Sequence, residues 1–161
     1  MSEFSIRPAG AGDEAVIVSL LRELAAYEHL LDKFAVTEEV VARDYLSADP
    51  ACLAELAYAG EEPVAIATWY RNYSSFGAVR GLYIEDLFVK PQWRGKGVGK
   101  DLLVHLAKIA KAEGASRMDW KVLDWNEAAS AFYLAFGAHK VENWLDFRLE
   151  GEALATLASG S

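Results

Sequence analysis

Residues 82–113 read as strand, glycine-rich basic loop and helix, and this run constrains the fold more than any other part of the chain. The stretch 82–89, LYIEDLFV, is apolar enough for a buried strand, yet Glu85 and Asp86 interrupt it. The loop Gln92-Trp93-Arg94-Gly95-Lys96-Gly97-Val98-Gly99-Lys100 follows. From Val98 onward, apolar residues at 98, 102, 103, 106, 109 and 110 give the spacing of an amphipathic helix, with Gly114 as its C-terminal cap. Glycines let such a turn approach a ligand closely, and the unpaired N–H groups of the helix start favour an anion there. Arg94, Lys96 and Lys100 add positive charge, so the loop reads as a phosphate cradle.

The spacing decides which kind of phosphate loop this is. The ATP-type pattern G-x-x-x-x-G-K-[ST] fails, because counting back from Gly99-Lys100 reaches Arg94 and Asp101 stands in place of the hydroxyl. The dinucleotide pattern G-x-G-x-x-G also fails: started at Gly95 it ends on Lys100, and started at Gly97 it ends on Leu102. The pattern R-x-x-G-x-G fits, on Arg94, Gly97 and Gly99.

Around this unit the chain alternates strands and helices. Residues 4–7 read as a strand before Pro8, and Asp13 as the cap of a helix with an apolar stripe at Val16, Ile17, Leu20, Leu21 and Leu24, ending near Tyr27 and Glu28. Thr37, Glu38 and Glu39 open a second helix to about Leu46. Residues 51–59 and 64–73 read as a hairpin turning at 60–63. Residues 117–123 form the next strand, and Asn126 starts a helix to about Phe136, stopped by Gly137. Residues 144–149 read as a final strand, and the tail after Glu150, small and polar at its end, reads as frayed. The expected fold is one α/β domain, residues 1–161, with a mixed, mostly antiparallel sheet flanked by helices in the order β-α-α-β-β-β-α-β-α-β. The strands on either side of the 98–113 helix should run parallel.

The net charge of −8 argues against a general nucleic-acid binder and is compatible with cationic substrates. Cys52 has no internal disulfide partner, no apolar run reaches the ~20 residues that span a bilayer, and MSEFSIRPAG does not read as an export signal. A cytoplasmic protein without membrane partners is expected. His29, His105 and His139 lack metal-ligand spacing, and no metal is assigned.

LYIEDLFV, QWRGKGVG and DWNEAASAFYLAFGA together resemble the GNAT superfamily of N-acetyltransferases, over roughly residues 4–149. IEDLFV, WNE, the Phe132-Tyr133 pair and AYE at Tyr27 resemble its diamine (spermidine/spermine) and thialysine acetyltransferase branch. The resemblance implies acetyl-CoA as donor, a small-molecule primary amine as acceptor, direct transfer in a ternary complex, and a homodimer. It implies that the amides of Arg94, Gly95, Lys96, Gly97, Val98, Gly99 and Lys100 hold the pyrophosphate of coenzyme A. The backbone of Leu87, Phe88 and Val89 would pair with the pantetheine arm, and Asn126 would contact the cofactor. Tyr27, Glu28, Glu85 and Asp86 would bind the amine. Glu85 would be the general base, directly or through water, and Tyr133, beside the cofactor sulfur, the general acid.

Those roles answer real chemical needs. A lysine-type amine has a pKa of ~10.4 and must lose a proton before it attacks, and a thiolate leaving group benefits from one. Glu85 and Asp86 would face opposite sides of a regular strand, and a bulge there would re-aim them. The sequence also departs from the animal polyamine enzymes of the branch. The loop Tyr73-Ser74-Ser75-Phe76-Gly77 has no carboxylate, and the stretch from Gly137 to Trp144 is short, which favours thialysine, lysine-like amines or short diamines over long polyamines. Two alternatives stay open at this point: acetylation of a protein or peptide amine, and a non-catalytic acetyl-CoA-binding module.

Overall fold

The computed structural model describes residues 3–160. Met1 and Ser2, part of the N-terminal stretch that does not read as an export signal, lie outside the described residues, as does Ser161. Residues up to Leu123 form one compact unit and those from Asp124 a second; each is described by itself.

In the first unit β1 (Ser5–Pro8), β2 (Leu53–Ala59), β3 (Glu62–Ser74), β4 (Val79–Val89) and β5 (Arg117–Trp120) form one sheet in chain order. The first three pairings are antiparallel and β4–β5 is parallel. The parallel pair is the one whose connection contains α3 (Val98–Ala112), as a crossover helix requires. Pro8 is tolerated because β1 is an edge strand.

Helices cover both faces of the sheet. On one face α1 (Glu14–Tyr27) buries Ile17, Leu20, Leu21 and Leu24 against Leu56, Ile66 and Phe88, with Val41 of α2 (Glu38–Asp44) in the same core. On the other, α3 buries Val98, Leu102, Leu103 and Leu106, and its His105 reaches Glu55, which alternates with Leu56 along β2. With both faces covered, residues 64–69 of β3 are buried without interruption.

Thr37 caps α2 as expected, its hydroxyl accepting from the Val40 amide at 3.2 Å. Asp13 does not act as the expected side-chain cap of α1. Its carboxylate is held bidentately by Arg7 of β1, at 2.7 and 2.9 Å, and accepts from the Gly10 amide at 2.8 Å. A guanidinium fork binds a carboxylate more strongly than a lone helix amide does, so the side chain turns to the strand.

In the second unit Asn126 caps α4 (Glu127–Leu134), its Oδ1 accepting from the Ala129 amide at 3.1 Å. The expected strand at 144–149, the last element of the predicted order, does not form. Leu145, Phe147 and Leu149 do alternate, but they are exposed, and no strand among the described residues pairs with them. A strand without a ladder partner has no hydrogen bonds to define it. The tail expected to fray instead forms α5 (Gly151–Ala158).

Candidate functional site

The glycine-rich loop is built as a cradle. A 3-10 turn at Pro91–Trp93 leaves β4, and Gly95 and Gly97 adopt φ of +75° and +92°, a region L side chains rarely enter. Gly97 is the N-cap of α3, and no side chain caps that end. Among the described residues the amides from Gly95 to Lys100 have no backbone acceptor, whereas the Arg94 amide closes onto the Pro91 carbonyl at 3.2 Å. The free run of donors therefore starts at Gly95, one residue later than expected. A Cβ placed on Gly95 or Gly97 would meet nothing within 4 Å, so the space above the loop is open. Free N–H groups, open space and the positive end of α3 fit the diphosphate of a coenzyme A donor.

Arg94 does not project toward that space as a free charge. Its Nε donates to the Val89 carbonyl at 2.9 Å, and its guanidinium lies 4.6 Å from the Tyr27 ring centroid and 5.6 Å from that of Phe88. The arginine ties the loop to the end of β4 and to the last residue of α1.

β4 has an unpaired edge beside the loop. Its register with β5 ends at Ile84–Trp120, and among the described residues only β3 pairs with it from Glu85 to Val89. The Lys90 amide donates to the Val64 carbonyl, so strand alternation turns the backbone groups of Phe88 toward β3 and those of Leu87 and Val89 toward the open edge. Of the three residues expected to pair with a pantetheine arm, two have outward backbone groups, and Arg94 already occupies the Val89 carbonyl.

The two acids sit at a bulge. Thr68 pairs with Asp86 and Trp69 with Ile84, so Glu85 is the extra residue on β4. Past this shift, Asp86 falls on the α1 face beside Thr68, whose Oγ1 donates to Asp86 Oδ2 at 2.6 Å. Burial, and then the charge of Glu85, push the Asp86 carboxyl above its ordinary pKa while the Thr68 bond pulls it down. Glu28, half-buried at the end of α1, is pushed up by burial and by the charge of Asp86.

The sequence does not single out the other groups around Asp86. The Tyr45 phenol is pushed up by burial and then by Cys52, Asp86 and Glu85. The Cys52 thiol, half-buried just ahead of β2, is pushed up to about 11 by burial and the charge of Asp86, which keeps it a thiol. Tyr70, stacked on Tyr83 at 5.0 Å, is pushed up by burial and by Glu85. Among the described residues no basic side chain makes an ion pair with Glu28, Glu85 or Asp86. Glu28 and Asp86 are half-buried and Glu85 is exposed beside them; half-buried carboxylates without a counter-charge favour a cationic occupant. The sequence carries no signal for the Thr68 hydrogen bond, because its partner is 18 residues away.

Asn126 and Tyr133 stand in the second unit, Asn126 as the α4 cap and Tyr133 half-buried within that helix, its ring 5.3 Å from that of Phe132. A cavity of about 670 Å3 opens at the other end of β4, lined by Arg71, Asn72, Arg80, Gly81 and Glu113, and includes neither the loop nor the acids at the bulge.

Comparison with known proteins gives consistent matches. The profile of the acetyltransferase (GNAT) family matches residues 19–138. The thialysine N-epsilon-acetyltransferase of Bos taurus is 39% identical, with 98% of this chain and 99% of that protein aligned. The spermidine/spermine N(1)-acetyltransferase-like protein 1 of Homo sapiens is 33% identical over 98% of this chain, which spans 24% of that longer protein. Among solved structures, an integron cassette protein from the mobile metagenome of V. cholerae superposes with a TM-score of 0.83 at 27% identity, covering 98% of this chain and 99% of its own.

Proposed function

The chain belongs to the GNAT family of acetyltransferases, and from that premise we propose that it acetylates the primary amine of a small cationic molecule of the thialysine, lysine or short-diamine type. The observation that carries the reading is a set of carboxylates left without a basic partner: Glu85 and Asp86 at the bulge of β4, the strand that leads into the diphosphate cradle, and Glu28 at the end of α1, which feels the Asp86 charge.

Acetyl-CoA supplies the activated carbonyl. The amides from Gly95 to Lys100 hold its diphosphate, the outward backbone groups of Leu87 and Val89 align the pantetheine arm, and Asn126 adds a contact. Glu28 and Asp86, with Tyr27, hold the cationic amine. Glu85, exposed at the bulge, takes the ammonium proton directly or through a water, since a lone pair is needed for attack and the unperturbed pKa is ~10.4. Tyr133 returns a proton to the leaving thiolate, and transfer is direct, within a ternary complex.

The same reading treats the whole chain as one domain working in the cytoplasm as a homodimer. The alternating, exposed segment of Leu145, Phe147 and Leu149 supports pairing with a second copy. Among the described residues no helix is long and apolar enough to cross a membrane.

A panel of amines with acetyl-CoA, followed by thiol release, tests the function. Thialysine, lysine-like amines and short diamines should turn over with a higher kcat/KM than spermine, because the 73–77 loop offers no carboxylate to a long polyamine. Absence of thiol release with every amine would overturn the reading.

A further inference from the structure

We propose that Thr68 is a positioning residue for amine binding: its buried hydroxyl clamps the Asp86 carboxylate across β3 and β4 in the orientation that a cationic substrate meets. The proposal rests on the reading of Asp86 as a cation-binding group.

Thr68 is fully buried in the middle of β3, where neighbouring positions are Ile66, Ala67 and Trp69. Valine has nearly the same shape and a higher affinity for such a site, so a buried hydroxyl is a cost unless it is bonded. Here it is bonded, to Asp86 Oδ2 at 2.6 Å, within the 2.5–2.7 Å range typical of a hydroxyl donating to a charged carboxylate. The pair sits at the last register position before the bulge, so fixing Asp86 there also fixes where β4 changes phase.

The surroundings make the bond consequential. The titratable groups that interact with Asp86 are Glu28 at the end of α1, Tyr45 after α2, Cys52 ahead of β2 and Glu85 beside it, and all are acids. Burial and the Glu85 charge favour protonated Asp86, and the Thr68 bond opposes them. Without that hydroxyl the carboxyl takes up a proton at higher pH and ceases to attract an ammonium group.

The test compares wild type, Thr68→Val and Thr68→Ser, with thialysine and acetyl-CoA across pH. Loss of the hydroxyl should raise the KM for thialysine on the order of tenfold at the acidic end of the range, the cost of a lost charge-assisted hydrogen bond. The excess should shrink as pH rises and Asp86 ionises again. The KM for acetyl-CoA should stay unchanged, and Thr68→Ser should restore the wild-type profile. A variant-to-wild-type KM ratio that is the same at every pH, or a Ser variant as impaired as Val, overturns the proposal. Should Thr68→Val not fold, Thr68→Ala is read the same way. If wild type acetylates no amine, the function reading fails by itself. The Asp86 carboxyl, titrated by carbon-13 NMR, still judges the clamp: its pKa rises in Thr68→Val, or the clamp is wrong.

Discussion

Arg94 stacks on Tyr27, its guanidinium 4.6 Å from the ring centroid, while its Nε holds the Val89 carbonyl at 2.9 Å. One side chain thus joins the start of the glycine-rich loop, the open end of β4 and the residue before Glu28. The contact depends on a planar, forked cation, which lysine does not offer. Arg94→Lys should therefore raise the Kd for coenzyme A roughly tenfold, combining a weakened cation–π contact with a lost hydrogen bond. Calorimetric titration measures it, and an unchanged Kd would reduce the contact to packing.

Gly97 has φ of +92° at the N-cap of α3, with open space where a side chain would project. Alanine there meets no neighbour, so its cost is the left-handed backbone itself, about 1–2 kcal/mol. Gly97→Ala should lower stability by about that amount and weaken coenzyme A binding more than amine binding. Urea unfolding and paired titrations separate the two effects.

Asp86 and Asp13 should respond to pH with opposite signs. Asp86 is raised on folding, so its contribution to stability is present below the unfolded carboxylate pKa and is lost as pH rises through the folded value. Asp86→Asn should therefore raise the urea midpoint at neutral pH while weakening amine binding, and the stability gain should fade on acidification. Asp13 is held below its ordinary value, first by Arg7, so its contribution is present above the unfolded pKa and is lost as pH falls through the folded one. Asp13→Asn should lower the midpoint at neutral pH and flatten the acid limb of the curve.

Glu55, 3% exposed, is bonded to Trp69 Nε1 at 3.2 Å and lies 2.9 Å from His105 Nε2. Removing one partner leaves a buried carboxylate short of a donor. His105→Leu should cost about 1–3 kcal/mol in chemical denaturation, the penalty of a buried polar group left short of a partner, and adding Glu55→Leu should return much of it. A cost within experimental error would mean that Trp69 alone suffices.

Tyr133→Phe should lower kcat roughly 10²–10⁴-fold if the phenol is the general acid. Turnover at the wild-type rate would remove it from that role.

The elements legible in the sequence are those whose signal is local. The stripe from Ile17 to Leu24, the α3 spacing and the glycines at 95 and 97 each appear within a few residues, and each element forms where expected. Expectations fail where a distant partner decides. Asp13 resembles a cap until Arg7 claims it. Residues 144–149 alternate like a strand, but alternation does not supply a ladder partner. The acids at 85 and 86 are visible in the sequence, whereas the bulge that separates them depends on the register with Thr68 and Trp69, and Thr68 itself looks like one more residue of a buried strand.

We propose above all that the amides from Gly95 to Lys100 grip the diphosphate of the donor. Amide NMR of the labelled protein titrated with coenzyme A tests it most directly. The largest shifts should fall on Gly95, Lys96, Gly97, Val98, Gly99 and Lys100, with smaller ones on Leu87 and Val89. Saturable binding that leaves those amides unmoved, or no binding at all, would contradict the account.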